Sequence, residues 1–357
     1  MIKSSYSVLG VMSGTSLDGI DVAHIHFSKE GQWNFSIQAA QTFPYTSEWK
    51  DVLSSLHLAS EKELDIQNIR YTALLGQTIL GFIQSHEISN LDAVCSHGHT
   101  ILHEPNRGVT LQIGNLKDLA THLNQVVVCD FRSQDVAMGG QGAPLVPIGD
   151  TLLFSEYDAC LNLGGFANAS YSQKEKVIAY DLCAVNTVLN FLAEKRGLPY
   201  DNKGQLAQSG TLVSEFYSDL EALNFYKKAS PKSLGIEWVH ATIYPLLDKY
   251  KQHSLENLIH TYTFHVIEEI GRNFTAGQSV LVTGGGAKNT YLIQLLQDQC
   301  NAFFHIPEER VVDFKEALVF GFLGILRLRH EVNCLASVTG ASKNHSSGII
   351  FYPRNDL

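Results

Sequence analysis

Residues 8–23 read Val8-Leu-Gly-Val-Met-Ser-Gly-Thr-Ser-Leu-Asp-Gly-Ile-Asp-Val-Ala23. Two apolar, β-branched runs flank a turn rich in glycine and hydroxyl side chains, which predicts a β-hairpin. Glycine lets the backbone approach a ligand closely, amides and hydroxyls donate to phosphate oxygens, and Asp18 is suited to hold Mg²⁺ through water. We therefore predict a phosphate-binding hairpin, with an ordinary hairpin turn as the alternative. The residues predicted to lie at the bound phosphate are Gly14, Thr15, Ser16, Leu17, Asp18, Gly19, Ile20 and Asp21.

Two further predicted strands end in glycine turns, in Cys160-Leu-Asn-Leu-Gly-Gly-Phe-Ala-Asn168 and in Val280-Leu-Val-Thr-Gly-Gly-Gly-Ala-Lys-Asn289. The first predicts a second phosphate hairpin. The second leads into a helix whose N-terminal amides and dipole favour a nucleotide. The three turns in this order favour a nucleotide-binding protein, although neither a Walker-type loop nor a dinucleotide-binding motif is present. The residues predicted to contact the nucleotide here are Gly164, Gly165, Gly284, Gly285 and Gly286.

Hydrophobic periodicity predicts an α/β protein in which a similar plan occurs twice. Each half is predicted to begin with an antiparallel meander and to continue with alternating helices and strands. A chain of 357 residues favours two domains. We place the boundary near residues 145–158, which gives an N-terminal lobe of residues 1–150 and a C-terminal lobe of residues 151–357, whose tail is free to pack back on the first lobe. The predicted strands are 6–11, 20–27, 35–43, 93–95, 125–129, 159–163, 169–171, 177–180 and 279–283, and the predicted helices are 61–86, 116–123, 184–196, 205–219, 255–274, 289–299 and 314–329.

Composition excludes several classes of protein. A net charge of −10 with scattered Lys and Arg argues against a nucleic-acid groove. The most apolar stretch, residues 317–326, is about half the length that spans a bilayer, and the N-terminus lacks the apolar block of a signal peptide. We therefore expect a cytoplasmic protein with no membrane partner. The six cysteines show no CxxC spacing and predict free buried thiols. The oligomeric state is left open, a homodimer included.

The order of the turns resembles the actin, hexokinase and heat-shock ATPase superfamily. That resemblance implies two similar lobes of ribonuclease H-like type, with a nucleotide and sugar cleft between them. Longer motifs, running from residue 12 to residue 342, resemble anhydro-N-acetylmuramic acid kinases, and the segment of residues 130–147 is the most specific of them. These motifs are Met12-Ser-Gly-Thr-Ser-Leu-Asp-Gly-Ile-Asp21, Ser96-His-Gly-His-Thr100, His103-Glu-Pro105, Leu111-Gln-Ile-Gly-Asn115, Asp130-Phe-Arg-Ser-Gln-Asp-Val-Ala-Met-Gly-Gly-Gln-Gly-Ala-Pro-Leu-Val-Pro147, Leu161-Asn-Leu-Gly-Gly-Phe-Ala-Asn168, Tyr200-Asp-Asn-Lys-Gly204, Pro231-Lys-Ser233, Thr283-Gly-Gly-Gly-Ala-Lys-Asn289, Lys315-Glu-Ala317 and Val338-Thr-Gly-Ala-Ser342.

The family resemblance implies a reaction with ATP and Mg²⁺. Water opens the 1,6-anhydro ring of anhydro-N-acetylmuramic acid while the sugar O6 receives a phosphoryl group, a step of peptidoglycan recycling. A carboxylate must take the proton of the attacking water. The family's base lies in a DTGPGN-like or DCGPGN-like segment, and the matching segment here is Asp181-Leu-Cys-Ala-Val-Asn186. Asp181 is therefore the predicted base, although the Gly-Pro-Gly between the Asp and the Asn is absent, and Gly-Pro-Gly shapes the backbone beside the sugar.

Further residues are predicted to bind the sugar. Asp130, Asp135 and Glu316 are expected to grip hydroxyl groups, and His97 is expected to face the sugar. Arg132 is suited to the lactyl carboxylate, and a structural salt bridge is the alternative. The His-x-His-x-x-x-His spacing of residues 97–103 also suggests a metal site, which we reject because cysteine and carboxylate ligands are missing apart from one glutamate. Three positions depart from the usual family residues, namely His99 for Gln, Leu102 for Arg and Ile236 for Arg.

Two alternatives to an anhydro-sugar kinase stay open. The lost Gly-Pro-Gly leaves room for a kinase of the same fold that acts on a different sugar. A non-catalytic nucleotide-binding relative is disfavoured, because a protein without phosphoryl transfer has no chemical need for Asp18 and Asp181 together with both phosphate turns.

Overall fold

The computed structural model describes residues 3–14, 16–173, 176–229 and 232–353. Chain contacts divide it into two compact units, of which unit 1 comprises residues 1–153 with 314–357 and unit 2 comprises residues 154–313. The chain from Phe314 onwards thus belongs to unit 1. Among the described residues, no helix combines the length and apolar character needed to cross a bilayer.

The described residues form both strands and helices. The strands are β1 (Ser5–Ser13), β2 (Gly19–Glu30), β3 (Gln32–Pro44), β4 (Ala93–Glu104), β5 (Val109–Ile113), β6 (Val127–Cys129), β7 (Ala159–Leu163), β8 (Phe166–Gln173), β9 (Lys176–Ala184), β10 (Ser279–Thr283), β11 (Phe303–His305) and β12 (Ile349–Phe351). The helices are α1 (Ser47–Ser55), α2 (Glu61–Ser85), α3 (Asp118–Leu123), α4 (Ser133–Ala137), α5 (Pro147–Leu153), α6 (Asn186–Glu194), α7 (Gln205–Ser209), α8 (Ser214–Glu221), α9 (Ile236–Trp238), α10 (Tyr244–Lys249), α11 (Leu255–Gly271), α12 (Thr290–Gln299), α13 (Glu309–Leu328) and α14 (Ala336–Thr339).

The sheet of unit 1 has the order β12-β6-β4-β1-β2-β3, with β5 paired to β4. β1, β2 and β3 form an antiparallel meander, while β4 is parallel to β1 and β6 is parallel to β4. α13 covers β1 closely, since a Cβ atom on Gly10 would lie 1.9 Å from the carbonyl oxygen of Ala317. Glycine at position 10 therefore permits this helix to pack directly on the backbone of the sheet.

The sheet of unit 2 repeats this arrangement in the order β11-β10-β7-β8-β9. β7, β8 and β9 form the meander, and β10 and β11 follow β7 in parallel pairing. Five strands of each unit thus share one order and one set of directions, and each unit has the ribonuclease H-like fold that the resemblance implied. The duplicated plan predicted from the sequence is confirmed.

One predicted helix is divided into two in the structure, because of tertiary packing. The sequence predicted a continuous helix over residues 205–219, but the structure has α7 and α8 with a break between them. Gly210 lies in the break, and a Cβ atom there would lie 2.1 Å from the carbonyl oxygen of Glu256. Close approach to α11 therefore ends the first helix. All six cysteines are free; five are buried and Cys300 is half-buried.

Candidate active site

The two glycine turns of unit 2 lie side by side. β7 and β10 are parallel neighbours, so their carboxyl ends reach the same edge of the sheet, with Thr283 opposite Asn162. Ligands of open α/β sheets bind outside this edge. Gly284 has a φ of +83°, and a Cβ atom there would lie 2.5 Å from Asn162 Oδ1. The structure thus brings together the second phosphate hairpin and the predicted adenosine turn.

Asn186 connects these turns to α6. Its Nδ2 donates to the carbonyl oxygen of Leu163 at 3.0 Å. The amides of Val185 and Thr187 donate to the carbonyl oxygen of Gly165 at 2.8 and 3.2 Å. The backbone of the hairpin is therefore fixed by the N-terminus of the helix that follows the predicted base.

Gly285 differs from the glycines on either side of it. It is exposed, its φ lies outside the left-handed region, and the nearest atom to an added Cβ would be Asn186 Nδ2 at 3.8 Å. A Cβ atom on Gly286 would instead lie 2.7 Å from Leu163 Cβ. Protein packing explains the glycines at positions 284 and 286 but leaves the space above Gly285 open. That space is where a flat ligand group can approach the turn.

Asp181 lies near the carboxyl end of β9 and is half-buried. Its Oδ2 accepts hydrogen bonds from the amide of Leu234 at 2.8 Å and from Ser233 Oγ at 3.2 Å. Its Oδ1 has no hydrogen-bond partner among the described residues. Burial raises the pKa of this carboxyl, and the two hydrogen bonds oppose that rise. One carboxylate oxygen is therefore fixed by hydrogen bonds, and the other is free to accept a proton. This arrangement suits a general base.

The residues that replace the family's Gly-Pro-Gly form part of the core of unit 2. Leu182, Cys183, Ala184 and Val185 are all buried within its hydrophobic cluster. A β-bulge next to Asn168 leaves Leu182 without a partner in the ladder, and bulges of this kind change the direction of neighbouring side chains. The altered segment thus keeps Asp181 at the sheet edge while its own side chains pack inward.

The first phosphate hairpin joins β1 to β2. Ser16 and Asp18 are exposed, Gly14 and Leu17 are half-buried, and Thr15 lies outside the described residues. The other predicted ATP contacts stand on β2. Gly19 packs against the backbone of Phe43, Ile20 belongs to the core, and Asp21 Oδ1 accepts a hydrogen bond from Thr42 at 2.6 Å. Gly19 and Ile20 can therefore offer a ligand only their backbone.

A buried chain of polar groups supports this hairpin at Ser13. Ser13 Oγ lies 2.7 Å from His99 Nδ1 and 2.5 Å from the hydroxyl of Tyr45, which in turn contacts the hydroxyl of Tyr71. Burial lowers the pKa of His99 to about 4, so its ring is neutral at physiological pH. His99, which replaces the usual Gln of the family, thus lies beneath the hairpin.

Arg132 is oriented by His97. Arg132 Nε donates to His97 Nε2 at 2.8 Å, and Arg132 Nη1 donates to the carbonyl oxygen of Gly142 at 2.6 Å. Burial, with a smaller effect of Arg132, holds the pKa of His97 well below its ordinary value. The neutral ring can then donate from Nδ1 to the carbonyl oxygen of Gly98 at 2.9 Å while Nε2 accepts. His97 is buried and engaged at both nitrogens, so it positions Arg132 rather than facing a ligand itself.

Glu316 and Asp130 remain accessible. Glu316 follows the kink of α13 at Phe314 and is exposed. The pKa of its carboxyl is raised, chiefly because neighbouring protein atoms displace water from it. The positive charges of Arg132 and Lys315 oppose this rise, and the negative charge of Asp21 adds to it. Glu316 has no hydrogen-bond or ion-pair partner within the ranges that the structure describes. Asp130 is half-buried, and its Oδ1 accepts from the amide of Ser133 at 3.3 Å.

Asp135 differs from the sequence-based expectation, because its side chain is 0% exposed. Its Oδ2 accepts from the amide of Gly142 at 2.7 Å. Its Oδ1 accepts from Thr339 Oγ1 at 2.8 Å and from Cys334 Sγ at 3.0 Å, and His345 Nε2 lies 3.6 Å away. A carboxylate occupied in this way cannot grip a sugar hydroxyl directly. It instead fixes the loop of residues 130–147 against the C-terminal segment.

Sequence reasoning gave no role to several residues of these sites. Ser233 and Leu234 hold Asp181, and Tyr45 supports the first hairpin through its contact with Ser13. Tyr45 directly follows Pro44, which pairs with Gly19. The pairing of β2 with β3 could therefore have predicted that Tyr45 lies close to the first hairpin. The contact of Ser233 with Asp181 joins positions 52 residues apart and had no local signal.

Comparison with known proteins assigns the chain to a family. Residues 6–353 match the anhydro-N-acetylmuramic acid kinase family. The anhydro-N-acetylmuramic acid kinase of Actinobacillus pleuropneumoniae serotype 5b is 31% identical, over 99% of this chain and 100% of its own length. The enzyme of that name from Bacillus cereus strain ATCC 10987 is 30% identical, over 97% and 99%. Among solved structures, the activator of 2-hydroxyisocaproyl-CoA dehydratase from Clostridium difficile with bound ADPNP gives a TM-score of 0.44 at 12% identity, over 90% of this chain and 96% of that one. From its match over nearly the whole length, this chain belongs to the anhydro-N-acetylmuramic acid kinase family.

Proposed function

We propose that the protein opens 1,6-anhydro-N-acetylmuramic acid with water and transfers the γ-phosphoryl group of ATP to O6, giving N-acetylmuramic acid 6-phosphate in peptidoglycan recycling. Family membership over residues 6–353 supports the kinase activity. The single observation that carries the chemistry is the half-buried Asp181, with Oδ2 held by two donors and Oδ1 available. ATP as co-substrate favours a cytoplasmic reaction, with ATP and an amino sugar as the small-molecule partners.

In the proposed reaction Asp181 Oδ1 takes a proton from the attacking water. The water oxygen forms a bond to the anomeric carbon, and the bond from that carbon to O6 breaks. O6 then forms a bond to the γ-phosphorus as the bond to the ADP oxygen breaks, so the products are the 6-phosphate and ADP. A positioned base contributes about 10² to 10⁴ in rate to such a step. The raised pKa of Asp181 suits this role, because a more basic carboxylate removes a proton more readily.

The nucleotide is assigned to the glycine turns. The exposed Gly285 leaves room for the adenosine, and Gly164 and Gly165 offer backbone groups to the phosphates. On unit 1, Ser16 and Asp18 are exposed at the first hairpin, and carboxylate oxygen is the ligand type that Mg²⁺ prefers. These residues fit a metal held through water. When bound, Mg²⁺ would neutralise charge that develops on the phosphates.

The sugar contacts proposed on unit 1 are Arg132, Glu316 and Asp130. Arg132 uses Nε and Nη1 for protein contacts and retains donors at Nη2, which suits a lactyl carboxylate. Glu316 is exposed and unpartnered within the described ranges, so its carboxylate is open to hydroxyl groups. Asp135 and His97 enter the proposal as positioning residues, because both are buried and fully engaged.

The test is release of ADP over a panel of anhydro and ordinary amino sugars. We expect turnover with the anhydro sugar, and preferential turnover of another sugar would favour the alternative that the lost Gly-Pro-Gly keeps open. Asp181→Asn should lower kcat by about 10² to 10⁴ with little change in KM. Glu316→Gln is the matched control and should mainly raise KM for the sugar. If Asp181→Asn keeps near-normal turnover, Asp181 is not the base.

A further inference from the structure

A short strap holds the predicted base from one side. It consists of Lys232, Ser233 and Leu234, and we call it the base strap. The carbonyl oxygen of Lys232 accepts from the amide of Asp181 at 2.9 Å. The amide of Leu234 and the hydroxyl of Ser233 both donate back to Asp181 Oδ2, at 2.8 and 3.2 Å. The strap therefore contacts the backbone and the carboxylate of the same residue.

The side-chain contacts matter because a free carboxylate has no fixed orientation. The terminal torsion of aspartate has a broad distribution, so the plane of a free carboxylate is poorly fixed. Two donors on Oδ2 restrict this torsion and leave Oδ1 as the oxygen available to the water. Fixing a base to within a fraction of an ångström is what proton transfer from a positioned water requires.

The base strap is itself anchored through Lys232. Lys232 Nζ donates to the carbonyl oxygen of Phe225 at 3.4 Å and lies 4.6 Å from the centre of the Phe225 ring. Phe225 is 4% exposed and belongs to the buried part of unit 2. A cation over an aromatic face is favourable when it is partly removed from water. The contacts of Lys232 with Phe225 thus hold the backbone immediately before Ser233, the residue that donates to Asp181.

We propose that Ser233 is a positioning residue of this enzyme, which fixes the carboxylate of Asp181 so that Oδ1 acts as the base. This inference rests on the proposed function, since it assigns a partner to the same base. Asp181 and Lys232 both act on the pKa of Cys183 on β9, which Asp181 raises and Lys232 lowers. A hydrogen bond to the ionised form lowers the pKa of a carboxyl, so loss of the Ser233 hydroxyl should raise it.

The test compares Ser233→Ala, Ser233→Thr and the parent. We expect Ser233→Ala to lower kcat about tenfold with KM unchanged, and to move the acidic limb of the kcat/KM profile upward by about half to one pH unit. Ser233→Thr keeps the hydroxyl and should restore both. Ser218→Ala is the control, because the hydrogen bond of that exposed hydroxyl within the described part of the chain goes to the carbonyl oxygen of Ser214. A Ser233→Ala profile that superimposes on the parent's would overturn the proposal.

A direct measurement separates this proposal from the proposed function. The pKa of Asp181 can be followed by NMR titration of its labelled carboxyl carbon, without any substrate. A higher pKa in Ser233→Ala than in the parent supports the strap, and an unchanged value refutes it. If the parent fails to turn over the anhydro sugar, the proposed function is wrong, and the titration still decides whether Ser233 controls the carboxylate.

Discussion

Replacing Gly285 with valine is expected to remove the stabilisation that ATP with Mg²⁺ gives the protein. Gly285 is exposed, and a Cβ atom there meets no protein atom closer than 3.8 Å. The added side chain should therefore leave the fold of the ligand-free protein intact while it fills the place assigned to adenosine. The same change at Gly284 or Gly286 is not informative, because Cβ atoms there would lie 2.5 and 2.7 Å from neighbouring atoms.

The expected magnitude follows from binding linkage. A ligand present at a hundred times its Kd stabilises the folded state by about 2.7 kcal/mol. For a domain of the length of unit 2, residues 154–313, that stabilisation corresponds to a rise in Tm of roughly 5–10 °C. Gly285→Val should lose this rise completely, whereas the Tm without ATP should stay within about 2 °C of the parent, as for a typical exposed substitution.

Thermal unfolding with and without Mg²⁺-ATP provides the assay. Gly81→Val is the matched control, since Gly81 lies on α2 in unit 1 and a Cβ atom added there would meet no described atom within 4 Å outside its chain neighbours and its own helix backbone. It should keep the full ATP-dependent rise. Equal rises for Gly285→Val and the parent would remove the adenosine site from this turn. A large fall in Tm without ATP would show instead that the space above Gly285 is needed for folding.

Two further variants test the hairpin and the buried carboxylate of unit 1. Asp18→Ala should raise KM for Mg²⁺-ATP with little change in sugar affinity, and steady-state kinetics with each substrate varied will show the reverse pattern if the role of Asp18 is wrong. Asp135→Asn should lower the free energy of unfolding in urea by about 1–3 kcal/mol, because asparagine leaves one acceptor oxygen for the amide of Gly142, the hydroxyl of Thr339 and the thiol of Cys334. Its kcat at a temperature where it is folded should stay near that of the parent, and a steep fall in kcat with unchanged stability would instead place Asp135 at the substrate.

The parts of the fold that sequence predicted are those with a local cause. Alternating apolar residues and hairpin turns gave the meanders β1–β3 and β7–β9, and helical spacing gave α2, α11 and α12 with Ser254 as an N-cap of α11. β5, β11 and β12 were missed because short strands carry too few residues for a periodicity to show. The break at Gly210 was missed because its cause is the approach of α11, more than forty residues further along.

The candidate sites divide in the same way. Glycine turns at strand ends have a signature that follows from backbone geometry, and the turns at Gly164 and Gly284 were found by it. No local sequence pattern shows whether a charged side chain is buried or exposed. Asp135 and Glu316 were predicted to act alike, yet one is enclosed by donors and the other is open. Only tertiary contacts separate them, as only tertiary contacts reveal Ser233 beside Asp181.

Unit 1 is assembled from two stretches of chain that are separated by the whole of unit 2. During synthesis on the ribosome, unit 2 is therefore complete before the ribosome has made β12 and most of α13. Until then the nascent first stretch lacks the helix that covers Gly10 and the strand that pairs with β6. An uncovered sheet face and an open strand edge are sites of misassociation. We expect a chain truncated after unit 2 to depend on chaperones, and the full-length chain to acquire protease resistance in unit 2 first.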